Sequence, residues 1–244
     1  MFLLQGLLCH LLLTVYFKNQ TLSLRERFLG DNMNKCFIFG SMPVENFSQA
    51  IDDSDLIIAA DKGLLNTNKF GITPHFIVGD FDSLGYTPEG SNIIKHPVMK
   101  NETDTILAVD VGLDKGYTDF VIYGCLGGRL DQTIASIQTA QYVANKGGRA
   151  VLIDGNTHVT VIINSSISFD KDCNGIISVF ANSDKAEGVT ETGLLYSLED
   201  ATLTPNFPLG VSNEFIGENA TVSVKKGILN IIWQTDKGTY NFGG

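Results

Sequence analysis

Between Cys36 and Asp154, short apolar runs alternate with longer mixed segments. The runs are Cys36–Phe39, Leu56–Ala60, Phe76–Val78, Phe120–Tyr123 and Ala150–Ile153, with Ile93–Ile94 as a candidate sixth. Each is unbroken and rich in Ile, Val or Phe, as expected for strands covered on both faces of a parallel sheet. Helical periods fall between them. Residues Thr103 to Leu113 open on Thr-Asp-Thr, good capping chemistry, and stop near Gly116. Leu130, Ile134, Ile137 and Ala144 fall on one side of a second helix, which runs to about Asn145 and ends at Gly147-Gly148. The pattern predicts an α/β fold whose N-terminal, mostly parallel sheet is flanked by helices.

After about Thr157 the pattern changes. His158–Ile163, Gly175–Phe180, Ala220–Val224 and Ile228–Trp233 read as strands, separated by turn formers such as residues 170–175 and 225–227. No helical period appears. This predicts a C-terminal antiparallel β-sandwich domain. The expected organisation is an N-terminal extension over 1–32, an α/β domain over 33–156 and a β domain over 157–244. Residues 1–17 are almost continuously apolar, but they lack a basic start and no small-residue cleavage site follows. They are also short against the ~20 apolar residues that a membrane span needs. Met33, just before the first strand, is read as the working initiator, and no membrane association is expected.

A chain of 244 residues with 43% hydrophobic content can bury a large core. Its net charge of −10 argues against nucleic acid as a partner. It does not argue against ATP, because Mg²⁺ between carboxylates and phosphates reverses the local sign. Cys9, Cys36, Cys125 and Cys173 are scattered. That spacing fits reduced, buried thiols in a cytoplasmic protein better than a disulfide framework or a zinc site.

The chemistry lies where apolar runs end, which is where open α/β sheets bind ligands. Asp80 and Asp82 follow one run. If that segment is extended, both point the same way, and a cation such as Mg²⁺ would relieve their repulsion. Ser83 adds a hydroxyl for metal or phosphate. A solvated turn is the alternative. Asp61 ends another run, beside Lys62 and Gly63, as a ligand or as a helix cap. Gly127-Gly128 precedes a helix start, where backbone amides and the helix dipole attract anions. Arg129 adds a fork suited to phosphate. Asp131 and Gln132, one turn in, face metal, ribose or base. Asn101-Glu102-Thr103-Asp104 opens a further helix; capping accounts for Thr103, whereas Asp104 is open to metal ligation or to holding an attacking hydroxyl.

In this combination and order, the motifs at 60–63, 79–83, 102–105 and 127–132 resemble those of thiamine pyrophosphokinases. Gly193-Leu194 and Ser212-Asn213-Glu214 extend the resemblance, which covers roughly Asn34 to Trp233. It implies transfer of a pyrophosphoryl group from ATP to the hydroxyl of thiamine, giving thiamine diphosphate and AMP. It also implies a homodimer with active sites between subunits. By motif, Asp80 and Asp82, with Asp104, would hold Mg²⁺. Asp61, Ser83, Gly127, Gly128, Arg129, Asp131 and Gln132 would bind ATP. Asp80, Asp82, Asp104 and Arg129 would be catalytic, and Ser212 and Asn213 would bind the thiamine pyrimidine. Trp233 and Tyr196 are candidates for an aromatic wall, although Ile231-Ile232-Trp233 also alternates like a core strand. Asn101 departs from the acidic residue common at that step. A metal-dependent glycosyltransferase would explain Asp80 and Asp82 but leaves the Gly-Gly-Arg motif unassigned, and a nucleotide or thiamine sensor would bind without turnover.

Overall fold

The computed structural model describes residues 34–47, 49–90, 92–95 and 103–243. The expectations for residues 1–32, Met33, Asn101 and Glu102 lie outside these residues.

Strands β1 (Lys35–Phe39) and β2 (Leu56–Ala60) pair in parallel. Helix α1 (Gly63–Lys69), β3 (Phe76–Gly79) and β4 (Ile93–Lys95) follow. Helix α2 (Asp104–Asp114) leads to β5 (Asp119–Tyr123), and α3 (Leu130–Asn145) leads to β6 (Arg149–Asp154). All pairings among these six strands are parallel. Residue alternation places Phe37, Phe39, Val121, Tyr123, Val151 and Ile153 on one face. Cys36, Ile38, Phe120, Ile122, Ala150 and Leu152 lie on the other, with Ala108 and Val109 of α2 and Ala140 and Val143 of α3. Both faces are covered, which is why the strands read as unbroken apolar runs.

One detail of the helix reading is corrected. Leu130 and Ile134 are 74% and 50% exposed. The packed face of α3 consists of Ser136, Thr139, Ala140 and Val143. Small side chains let the helix sit close to the sheet; Ile137 and Tyr142 pack at its margin, while Leu130 and Ile134 are left outside.

At Asp154–Thr157 the chain reverses through Gly155, and β7 (Thr157–Ile163) pairs antiparallel with β6. Then come β8 (Ser166–Phe169), β9 (Ile176–Ala181), β10 (Ala186–Thr192), β11 (Leu198–Leu203), β12 (Gly210–Glu214), β13 (Ala220–Ser223), β14 (Ile228–Gln234) and β15 (Tyr240–Gly243). Strands β7, β14, β9 and β12 extend the parallel sheet into one sheet of ten, in the order β12-β9-β14-β7-β6-β5-β1-β2-β3-β4. The second layer, β11-β10-β13-β8-β15, has five antiparallel strands. Ile167, Phe169, Val189 and Val222 of that layer share a core with Ile177, Val179, Ile231 and Trp233, and also with Phe37, Phe39 and Val151 of the parallel half. The antiparallel β-sandwich expected from the sequence is present, and its first layer is a continuation of the N-terminal sheet.

Candidate active site

Asp61 is the first residue beyond β2 and adopts a left-handed conformation, φ 50°. Its amide donates to the Val78 carbonyl at 2.8 Å, so it stays tied to the end of β3. Gly79 makes this possible, since a Cβ there would lie 3.3 Å from the Asp61 Cα. The carboxylate is 7% exposed. Oδ2 accepts from the Ser83 hydroxyl and, at 3.4 Å, from the Ser41 hydroxyl. Oδ1 is buried and has no partner among the described residues.

Two neighbours of Asp61 shape the same edge. Gly63 starts α1 against β1, where any Cβ would fall on the Phe39 carbonyl. Asn66, one turn into α1, is buried; its Nδ2 donates to the Gly40 and Met42 carbonyls, both at 2.8 Å, and its Oδ1 accepts from the Val44 amide at 3.0 Å. It therefore clamps the loop after β1 beside Asp61. Sequence reasoning passed over Asn66; the only available signal was a polar residue amid the helix's apolar positions.

A cleft of about 390 Å³ opens here, lined by Asp61, Asp104, Thr105, Cys125 and Gln132 among others. Asp61 follows β2, Asp104 opens α2, and Gln132 lies in the first turn of α3, so three β–α junctions converge. Thr103 caps α2 by accepting from the Ile106 amide at 3.2 Å, which sets Asp104 in the first turn.

The acidic pair at 80 and 82 needs a correction. The segment is not extended. Phe81 is left-handed, φ 66°, and Asp82 begins a 3₁₀ turn, Asp82–Leu84. Phe81 is buried with Ala59, Leu64 and Ile77, and seating its ring bends the chain. Asp80 Oδ1 then accepts from the Asp82 amide at 3.1 Å, so the two side chains are related by a turn. Neither lines the Asp61 cleft, although Asp80 leaves the strand beside it and Ser83 returns to Asp61.

Gly127 and Gly128 are both left-handed and exposed ahead of α3. Arg129 and Asp131 are exposed and paired with each other, Nη2 to Oδ2 at 2.5 Å and Nε to Oδ1 at 3.1 Å. This hydrogen bonding raises the guanidinium and holds the Asp131 carboxyl below the usual range.

The β-domain residues form a second group. Ser212 is left-handed, φ 58°, and exposed on the edge strand β12. Asn213 is buried with its amide fully engaged. Oδ1 accepts from the Tyr196 and Glu214 amides, both at 2.9 Å, and Nδ2 donates to Glu191 Oε2 at 3.0 Å and to the Tyr196 carbonyl at 2.6 Å. Tyr196 itself is 66% exposed. Trp233 does not join them. It is 1% exposed, stacked on His158 at 5.1 Å and edge-on to Phe169 and Tyr240, because its position in β14 points into the sandwich. Glu191, which sequence reasoning missed, is buried at the base of this group.

Family models match both halves of the chain: "Thiamin pyrophosphokinase, catalytic domain" over residues 47–152 and "Thiamin pyrophosphokinase, vitamin B1 binding domain" over residues 164–229. The thiamine pyrophosphokinase of Bacillus subtilis (strain 168) is 33% identical, over 76% of this chain and 90% of that protein. A crystal structure of the thiamine pyrophosphokinase from Bacillus subtilis superposes with a TM-score of 0.75 at 29% identity, over 83% of this chain and all 100% of that one. The fold is also that of the Geobacillus thermodenitrificans structure, with a TM-score of 0.70 at 23% identity over 83% and 98% of the two chains. An edge of converging strand ends, a second group on the β-sandwich and matches across both halves lead to one conclusion: the chain belongs to the thiamine pyrophosphokinase family.

Proposed function

We infer that this chain transfers the pyrophosphoryl group of ATP to the hydroxyl of thiamine, giving thiamine diphosphate and AMP. Within that family, the observation that supports this chain's site is the convergence of Asp61, Asp104 and Gln132 in one cleft at the carboxyl edge of a parallel sheet.

Such transfers require alignment and charge neutralisation more than covalent help. Asp104 is assigned to orient the alcohol and take its proton. The amides of Gly127 and Gly128, with Arg129, are assigned to the charge on the transferred group. The Arg129–Asp131 pair is solvent-exposed and therefore weak, so a phosphate can replace Asp131 as the partner. Gln132, inside the cleft, is assigned to the nucleotide with Asp131.

The donor set suits a hard cation such as Mg²⁺. It is all oxygen, and Asp61 presents a buried, unpartnered carboxylate oxygen. Among the described residues no three acidic, imidazole or thiol side chains group to hold a metal by themselves. Asp61 Oδ1 would face such an ion, with Asp80, Asp82 and Asp104 assigned to it by motif, and water and phosphate oxygens would supply its remaining ligands. When bound, the ion neutralises phosphate charge and templates in-line geometry.

Ser212 and the exposed ring of Tyr196 are assigned to thiamine, with Asn213 behind them. The Asp61 cleft is lined by residues of the first half alone. We assign residues 33–156 to ATP and 157–244 to thiamine, joined in a homodimer that sets one copy's β domain against the other's cleft. Exposed apolar residues at both places support this: Leu130 and Ile134 on α3, and Phe207, Leu209 and Val211 before and within β12. A cytoplasmic location fits Cys36, Cys125 and Cys173, which are free and buried. No described helix is long and apolar enough to cross a membrane.

The test is thiamine-dependent AMP formation from ATP with Mg²⁺. Asp80→Ala should abolish it while the protein stays folded; normal turnover by that variant would remove Asp80 from the cation site.

A further inference from the structure

We propose that Glu191 is a positioning residue of the thiamine half-site, acting through Asn213 on Tyr196 and Ser212. This rests on the assignment of Tyr196 and Ser212 to thiamine above.

Glu191 and Asn213 come from different layers of the sandwich. Glu191 is in β10 of the five-stranded sheet, and Asn213 is in β12 at the edge of the ten-stranded sheet. Their side chains meet at 3.0 Å. Between them the chain turns at Gly193, φ 70°, where a Cβ would collide with the Asn219 carbonyl. The turn brings Leu194 into a bridge with Phe215 and the Leu195 amide to the Glu214 carbonyl at 3.0 Å. Tyr196 follows at once, held at both its amide and its carbonyl by Asn213.

An asparagine amide can be seated in two ways, related by a flip. Only one seating offers its oxygen to the Tyr196 and Glu214 amides and its NH₂ to the Tyr196 carbonyl. Glu191 Oε2 adds to these backbone groups a side-chain acceptor for the same seating, and it satisfies the second Asn213 N–H. Glu191 thereby helps to hold Asn213, and through it the Tyr196 backbone, in place beside Ser212.

The fold alone does not explain a carboxylate here. Glu191 is 1% exposed and its Oε1 is buried without a partner among the described residues. Burial raises its pKa and the Asn213 amide lowers it. A buried carboxylate with one unmatched oxygen is costly to keep, yet removing it would also leave an Asn213 N–H without its acceptor. What it supplies is the direction of Asn213.

The experiment compares Glu191→Gln and Glu191→Leu with the unaltered chain, reading kcat, both KM values and the melting temperature. Gln keeps an acceptor for Asn213 and should leave the thiamine KM within about twofold. Leu fills the space without an acceptor. We expect its thiamine KM to rise about tenfold, with ATP KM and kcat little changed and melting only modestly earlier, from the one unmatched Asn213 N–H. An unmoved thiamine KM in E191L overturns the proposal. So does a joint fall of kcat, both affinities and melting temperature, or failure to fold of both E191L and the shorter E191T, since each marks a purely structural residue. If the unaltered chain forms no thiamine-dependent AMP, the assigned reaction fails; normal turnover with an indifferent Glu191 removes this proposal alone.

Discussion

Ser83 donates its hydroxyl to Oδ2 of Asp61 across 22 residues, and the other oxygen of the same carboxylate is buried without a described partner. One oxygen is anchored and the other is presented. A buried carboxylate oxygen without a partner is costly to leave unmatched, and a bound cation would supply the missing partner. The left-handed turn at Asp61 and the bend at Phe81 bring the two residues together.

Asp61→Asn tests that arrangement without disturbing the backbone, because asparagine tolerates the left-handed region. We expect kcat to fall about 100-fold or more, with a melting temperature equal to or above that of the unaltered chain. Thiamine-dependent AMP release and a thermal melt are the readouts; near-normal turnover would show that the charge is not used.

Asn66→Ala removes three hydrogen bonds to the loop after β1, two of them buried. The loss should be about 2–4 kcal/mol of unfolding free energy. ATP KM should rise as well, because Ser41 and Met42 on that loop line the cleft. Urea unfolding and steady-state kinetics check the two parts separately.

His158 gives stability a pH dependence on the mildly acidic side. Burial against Trp233 holds its pKa below the ordinary value, and the Asn156 carbonyl acts in the opposite sense. The unfolded chain binds a proton there near pH 6.5, and the folded chain only at lower pH. Stability is therefore fully present above about pH 6.5 and is lost as pH falls through the depressed folded value. Replacing His158 with Phe should flatten that limb in urea midpoints measured across pH; an unchanged limb would show that another group is responsible. Glu191, raised by burial, acts with the opposite sign, and its contribution is lost as pH rises out of the ordinary glutamate range.

Co-expressing Asp61→Asn chains with Tyr196→Ala chains tests the composite site. In a two-fold dimer with shared sites, half of the random assemblies hold one undamaged site, giving about a quarter of normal activity. If ATP and thiamine meet within one chain, mixing restores nothing.

The parallel half was legible because buried strands leave unbroken apolar runs. Leu56–Ala60 coincides with β2, and Leu130 to Asn145 coincides with α3. The packed side of α3 was not legible, because Ser136 and Ala140 carry no hydrophobic signal while the exposed Leu130 and Ile134 do. β8, β10, β11, β12 and β15 escaped notice for a similar reason. Their sequences are short or rich in polar residues, as in Ala-Glu-Gly-Val-Thr-Glu-Thr of β10, and tertiary pairing defines them. At the site, the motifs at 60–63, 102–105 and 127–132 each contribute residues to one cleft. The turn at Phe81 was hidden, since it depends on where an aromatic ring finds space. The Glu191–Asn213 contact joins two sheets and has no local signature.

The hairpin of β6 and β7 has a mechanical consequence. Where the polarity of the large sheet changes, the hydrogen-bonded ladder continues from Val151–Thr160 to Asp154–Thr157 without interruption. The parallel half and the antiparallel half are thus welded along a common backbone spine. Hinge-like closure of one on the other would have to tear that ladder, so any tightening around bound reactants falls to the loops at the rim.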